Sequence, residues 1–199
     1  MSTNTSLKSV SAPLYNIPPW NDLRTPLMST TSTGSNPPVA ARIYRNNVSQ
    51  GVYVNKFVAD NTERELYFTI QLPHTYLQGS NLKPHLHFTT LDAITGTTRW
   101  GLEYTMSSIN SFFPTTTIII EGTRSIGVGD ANKHMILDFP EIVGTGLGIS
   151  SILICRLFRY SFDILNPLTK DSYDAPIYAL ECDIHHQNDT AGSRMEFIK

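Results

Sequence analysis

The sequence predicts an all-β protein: a single eight-stranded antiparallel jelly-roll sandwich over residues 41–199, preceded by an extended N-terminal arm over residues 1–40. Three observations carry this. Between Glu63 and Asp92, Leu66, Phe68, Ile70 and Leu72 recur at every second position, with Glu65, Tyr67, Thr69 and Gln71 between them, a period of two that only a β-strand uses. Similar short segments recur along the chain between turn residues, about eight in all, with no capped amphipathic helix and no strand–helix alternation. The composition agrees: 199 residues suffice for one core, and a 40% hydrophobic, 16% charged chain rich in Ser, Thr and Asn suits strands with neutral polar surfaces. Eight strands in two packed sheets is the jelly-roll number. An immunoglobulin-like sandwich is the runner-up, weakened by the absence of a Cys…Trp…Cys spacing.

Taken in order, residues 1–40 carry Pro13, Pro18, Pro19, Pro26, Pro37 and Pro38 among many polar residues. Proline fixes φ and removes backbone donors, so no long helix or central strand is expected there. Tyr15, Ile17, Trp20, Leu23 and Leu27 punctuate this arm, and so many large apolar groups predict that residues 13–28 dock on a surface. Strands are then expected at Ala40–Tyr44 and Gly51–Val58, followed by the strand, tight connection and strand of the 63–92 stretch. Pro73, His74 and Gly79-Ser80-Asn81 supply its turn chemistry. Arg99–Met106 alternates again. The β-branched run Thr115–Glu121 reads as a strand buried on both faces. Gly122–Asn132 reads as a glycine-punctuated loop, His134–Phe139 as a short strand, and Ser150–Phe162 and Pro176–His186 as the closing strands.

A formal net charge of -2 without a dense Lys/Arg cluster argues against specific nucleic-acid binding. No run of eighteen apolar residues predicts a membrane span, and no apolar leader follows Met1, so a soluble chain made in the cytosol is expected. Cys155 and Cys182 sit in apolar strand patterns and read as buried thiols.

The sharpest chemical signal is His85-Leu86-His87, two imidazoles on one strand face. Gly79, five residues and then this pair resembles the first metal motif of the cupins, with Asp92 at a longer spacing than the usual acidic ligand. The second cupin motif has no counterpart: His134, His185 and His186 stand in other contexts, and His185 and His186 point to opposite faces of the last strand. Hydrogen-bonded structural histidines are therefore the expectation, with no catalytic residue and no cofactor. There is no Gly-x-Ser-x-Gly elbow and no phosphate loop. Arg156 and Arg159, with Asp163, Asp171 and Asp174, read as ion pairs or subunit contacts.

With these motifs in hand, Gln71-Leu72-Pro73-His74, Gly79-Ser80, Pro84-His85-Leu86-His87-Phe88, Trp100, Glu103-Tyr104 and Asp183-Ile184-His185, with Asp189-Thr190 and Gly192-Ser193, resemble a family of small structural proteins of double-stranded DNA viruses and bacteriophages. Trp20-Asn21-Asp22-Leu23-Arg24 resembles its N-terminal opening, and the likeness spans residues 20–199. It implies a non-enzymatic capsid component, a penton or minor capsid protein, or else a fibre or spike base. Such a protein would form a homo-oligomer, a pentamer at a vertex, with the major capsid protein and other capsid proteins as partners. It would be made in the host cytoplasm and reside in the virion. Tyr15, Trp20, Leu23 and Arg24 would then belong to the assembly arm. Two further readings stand beside it: a cupin-like metalloenzyme using His85, His87 and a further ligand such as Asp92 or His185, and a carbohydrate- or receptor-binding module in which Trp100, Tyr104 and Phe112-Phe113 offer stacking surfaces.

Overall fold

The computed structural model describes residues 18–30, 34–60, 62–161, 171–189 and 192. Ten strands follow one another: β1 (Trp20–Pro26), β2 (Val39–Ile43), β3 (Val52–Phe57), β4 (Arg64–Gln71), β5 (Lys83–Thr89), β6 (Gly96–Ser107), β7 (Ile118–Ile126), β8 (Met135–Asp138), β9 (Ile152–Arg159) and β10 (Ile177–Gln187). Two single 3-10 turns, Leu27–Ser29 and Val128–Asp130, are the only helical pieces among the described residues.

The strands form two antiparallel sheets. Sheet A has the order β2-β3-β10-β5-β8, and β1 also pairs with β10; sheet B has the order β4-β9-β6-β7. β10 is flanked on one side by two partners in succession, β3 against Ile177–Ala179 and β1 against Glu181–Gln187. Its other edge meets β5, with a register shift between Ala179 and Glu181. β4 and β5 lie in different sheets, so the turn containing Gly79, at φ +82, carries the chain from one layer to the other. The protein is thus the all-β antiparallel sandwich of jelly-roll class that the alternating segments predict.

Several details differ from the expectation. Among the described residues there are ten strands rather than eight, because Trp20–Pro26 within the expected arm pairs with β10, and the β5 partner strand Met135–Asp138 is counted with the rest. β7 is an edge strand, not a strand buried on both faces: Ile118 and Ile119 are half exposed. It also begins three residues later than Thr115 and continues through Gly122 to Ile126, where a loop was expected. β-branched residues favour extended backbone at an exposed edge as readily as in a core, so composition does not separate the two.

Between the sheets, Leu86, Phe88, Leu137, Cys182 and Ile184 face Leu66, Phe68, Leu102, Cys155 and Leu157, all nearly or wholly buried. Phe57 meets Trp100 edge to face, with ring centroids 4.7 Å apart. An ion pair is buried beside this interior. Arg159 is wholly buried, its guanidinium held by the carboxylate of Asp171 and donating to the carbonyls of Phe57, Tyr173 and Ala175. A buried guanidinium is tolerated only when its donors are matched in this way. It fastens the 171–175 segment to β9 and β3.

Candidate functional site

The two outer faces of the sandwich carry different chemistry. On sheet A the pleat sends His85 and His87 of β5 and Asp183 and His185 of β10 outward, because these residues share a parity in strands whose other parity is core. Register places Asp183 opposite His85. On the far side of β10, β1 sets Asp22 opposite His185 and Arg24 opposite Asp183. His85 Nε2 lies 2.7 Å and His87 Nε2 3.2 Å from Asp183 Oδ1, His87 Nδ1 is 2.6 Å from His134 Nε2, and His185 Nε2 is 2.9 Å from Asp22 Oδ1. Although they stand on an outer face, His85 and Asp183 are 5% and 4% exposed.

This crowding shifts the titrations. Burial pushes the Asp183 carboxyl up, but His85 beside it, with His87 and His185, outweighs burial and holds it below the usual carboxylate range. Burial lowers His85, yet Asp183 outweighs this and leaves it raised. His87 is lowered, chiefly by burial and further by His85 and His134, against the pull of Asp183.

Asp92 does not join this group. Its carbonyl accepts from Tyr173 Oη in the segment after β5, and the acid that faces His85 is Asp183 on another strand. Of the expected arm residues, Trp20, Leu23 and Arg24 lie on β1, where Trp20 stacks under the Lys83 ammonium and Arg24 pairs with Glu181; Tyr15 lies outside the described residues. Trp100 and Tyr104 are core residues and offer no stacking surface, whereas Phe112 and Phe113 are exposed on the β6–β7 loop.

On sheet B the outer face bears a groove. Two clefts, about 370 and 200 Å³, meet at Tyr67 and Ile154. One runs toward Pro26 and Thr30 after β1; the other runs over Arg156, Glu103 and Thr117. Register builds its floor: Tyr67, Arg156 and Glu103 form one row across β4, β9 and β6, and Thr69, Ile154 and Thr105 form the next. The Arg156 guanidinium is ion-paired at once with Glu63, Glu65 and Glu103 and lies 4.2 Å above the Phe158 ring. Thr117 Oγ1 donates to Glu103 Oε1 at 2.6 Å. The planar groups are therefore fixed before any ligand arrives, which lowers the ordering cost of binding.

No family model and no curated protein matches the chain. Among solved structures it is similar to the CBM22-1–GH10 modules of an endo-1,4-beta-D-xylanase from Clostridium thermocellum complexed with xylohexaose, at 10% identity and TM-score 0.41, covering 84% of this chain and 26% of that one. It is similar also to a CBM35 from Cellvibrio japonicus, at 6% identity and TM-score 0.42, over 86% of this chain and 100% of that one. A third is the CBM36-1 domain of a multidomain xylanase from the hindgut metagenome of Trinervitermes trinervoides, at 13% identity and TM-score 0.38, over 87% and 100%.

The capsid expectation is corrected here: the three structures named carry carbohydrate-binding modules by their descriptions and none is a viral capsid protein, and the vertex reading is withdrawn. Sequence reasoning found the outward pair His85 and His87 but missed the groove. Its one available signal was the alternation of Glu65, Tyr67 and Thr69 with Leu66, Phe68 and Ile70, which marks an outer face but not its partners on β6 and β9.

Proposed function

We propose that the chain is a carbohydrate-binding β-sandwich module, without catalytic activity of its own, whose ligand is a neutral glycan bound along the outer face of sheet B. The observation that carries this is the continuous groove over Tyr67, Ile154, Arg156 and Glu103. A pyranose ring offers a weakly apolar C–H face and a rim of hydroxyls. Tyr67 and the exposed Ile154 suit the first; the fixed edges of Arg156 and Glu103, with Thr69, Thr105 and Thr117, suit the second. Three carboxylates surround a single guanidinium, so the floor repels an anionic polymer and favours an uncharged one. The same three acids are all committed to Arg156, which makes them an organising set rather than an acid–base pair.

Affinity electrophoresis in gels containing neutral polysaccharides such as xylan, glucan or galactan, with a polyuronate as the charged comparison, tests the reading. A neutral polymer should retard the chain, and Tyr67→Ala and Ile154→Arg should each weaken that retardation about tenfold, as expected for removing a stacking ring or blocking the groove. Equal retardation of the parent and both variants, or retardation by the polyuronate alone, would overturn it.

A further inference from the structure

The geometry points to a divalent transition-metal site on the outer face of sheet A, with His85, Asp183 and His185 as its protein ligands. It is centred on β5 and β10 of sheet A, whereas the glycan groove is centred on β4 and β9 of sheet B, and it does not depend on that reading.

Ligand atoms of these three residues all fall within 4.8 Å of one another, close to the roughly 4.2 Å that two donors bound at about 2.1 Å can span, so a small rotation of a side chain would close the set around one ion. The backbone alone brings them together: Asp183 faces His85 across the β10–β5 ladder, and His185 follows two residues along the same strand face.

Asp183 supplies a second, independent observation. It is 4% exposed, and its Oδ1 receives no hydrogen bond. His85 Nε2 and His87 Nε2 stand 2.7 and 3.2 Å away, but out of line with an N–H donor. A buried carboxylate oxygen this close to two imidazole nitrogens, with no donor aligned on it, is placed to take a cation set to one side of the N···O line.

The surroundings match a metal centre. Asp22 lies 2.9 Å from His185 Nε2 and orients that ring, as carboxylates do for metal-bound histidines. His87 and His134 face each other at 2.6 Å and close the side toward β8. Arg24, the nearest cation across β10, is turned to Glu181 and leaves Asp183 to the imidazoles. His185 keeps 39% of its side chain exposed, so an ion can enter, and Asp183 also lines a cleft with Asp22, His87 and His134. Two imidazoles and one carboxylate select zinc, cobalt or nickel over calcium or magnesium, which require oxygen ligands.

The test is calorimetric titration of the untagged, chelator-treated full chain with Zn²⁺, Co²⁺ and Ca²⁺, with the Co²⁺ visible spectrum as a direct view of coordination. One Zn²⁺ or Co²⁺ per chain is expected, with no Ca²⁺ uptake. His85→Ala and His185→Ala should each weaken binding at least about 100-fold, and Asp92→Asn should leave it unchanged. If His85→Ala does not fold, the half-exposed His185→Ala decides the matter. A folded parent chain that takes up no transition metal at micromolar concentration, or one whose uptake survives His185→Ala, overturns the assignment.

Discussion

Cys155 and Cys182 sit at the centre of the sandwich, on facing sheets, and both are free thiols. Burial pushes the Cys155 thiol up to about 12 from an ordinary value of 9.0, and Cys182 moves the same way. A raised pKa means that the native state keeps its proton while the unfolded thiol loses it. For Cys155 the stabilisation is therefore complete below pH 9 and is lost as pH climbs toward 12, by roughly 1.4 kcal/mol per pH unit in that window. Denaturant midpoints measured from pH 8 to 10.5 should fall accordingly, and Cys155→Ala should flatten the slope; an unchanged slope would mean that other groups govern the alkaline limb. The parity of single residues was legible in the sequence. His85 and His87 share a face, and His186 turns inward where His185 turns out, because side-chain direction in a strand is set by counting. The acid of the histidine cluster was not legible, since the meeting of Asp183 with His85 depends on the register of two strands far apart in the chain.

At the scale of elements, β6 and β9 cooperate through one small residue. A Cβ on Gly101 would meet Phe158 Cζ at 2.2 Å, so glycine lets that ring lie flat on β6 and carry the Arg156 guanidinium. Gly101→Ala should cost about 1–3 kcal/mol in denaturant unfolding, as overpacking does. It should also weaken glycan retardation with Tyr67 intact. Stability lost with full retardation would separate the ring from the groove. The alternation over Glu65–Leu72 placed β4 within a residue or so, yet β1 was hidden by prolines that in fact stand at or beyond its ends, at Pro19 and Pro26. Proline reports a missing donor, not a missing strand, wherever the ladder does not need that donor.

For the whole molecule, β1 and the turn after it are part of the fold. Leu27 is fully buried in the main core and its carbonyl accepts from Asn55 Nδ2 at 2.7 Å, while β1 lines β10 from Glu181 to Gln187. Removing residues 1–30 should therefore lower the melting temperature and blunt the cooperative transition, with a loss on the scale of at least one large core deletion, about 2–5 kcal/mol. A shortened chain that melts like the parent would show that β1 is dispensable. The two-layer class was legible because it depends only on strand-length alternation. The assignment of strands to layers was not, because it depends on which turns cross between sheets.

β10 adjoins β1, β3 and β5, all of which precede it by many residues, and Trp20 is paired with Gln187. Three earlier strands must wait for a single later one before sheet A exists. Such wiring places nearly all of the loop-closure entropy in one late event, so the chain should fold slowly for its size, with bare strand edges open to mispairing until β10 arrives. The charged rim of Asp22, Arg24, Lys83 and His185 around that seam is then also a guard, discouraging a second copy's strand from taking the place that belongs to the chain's own.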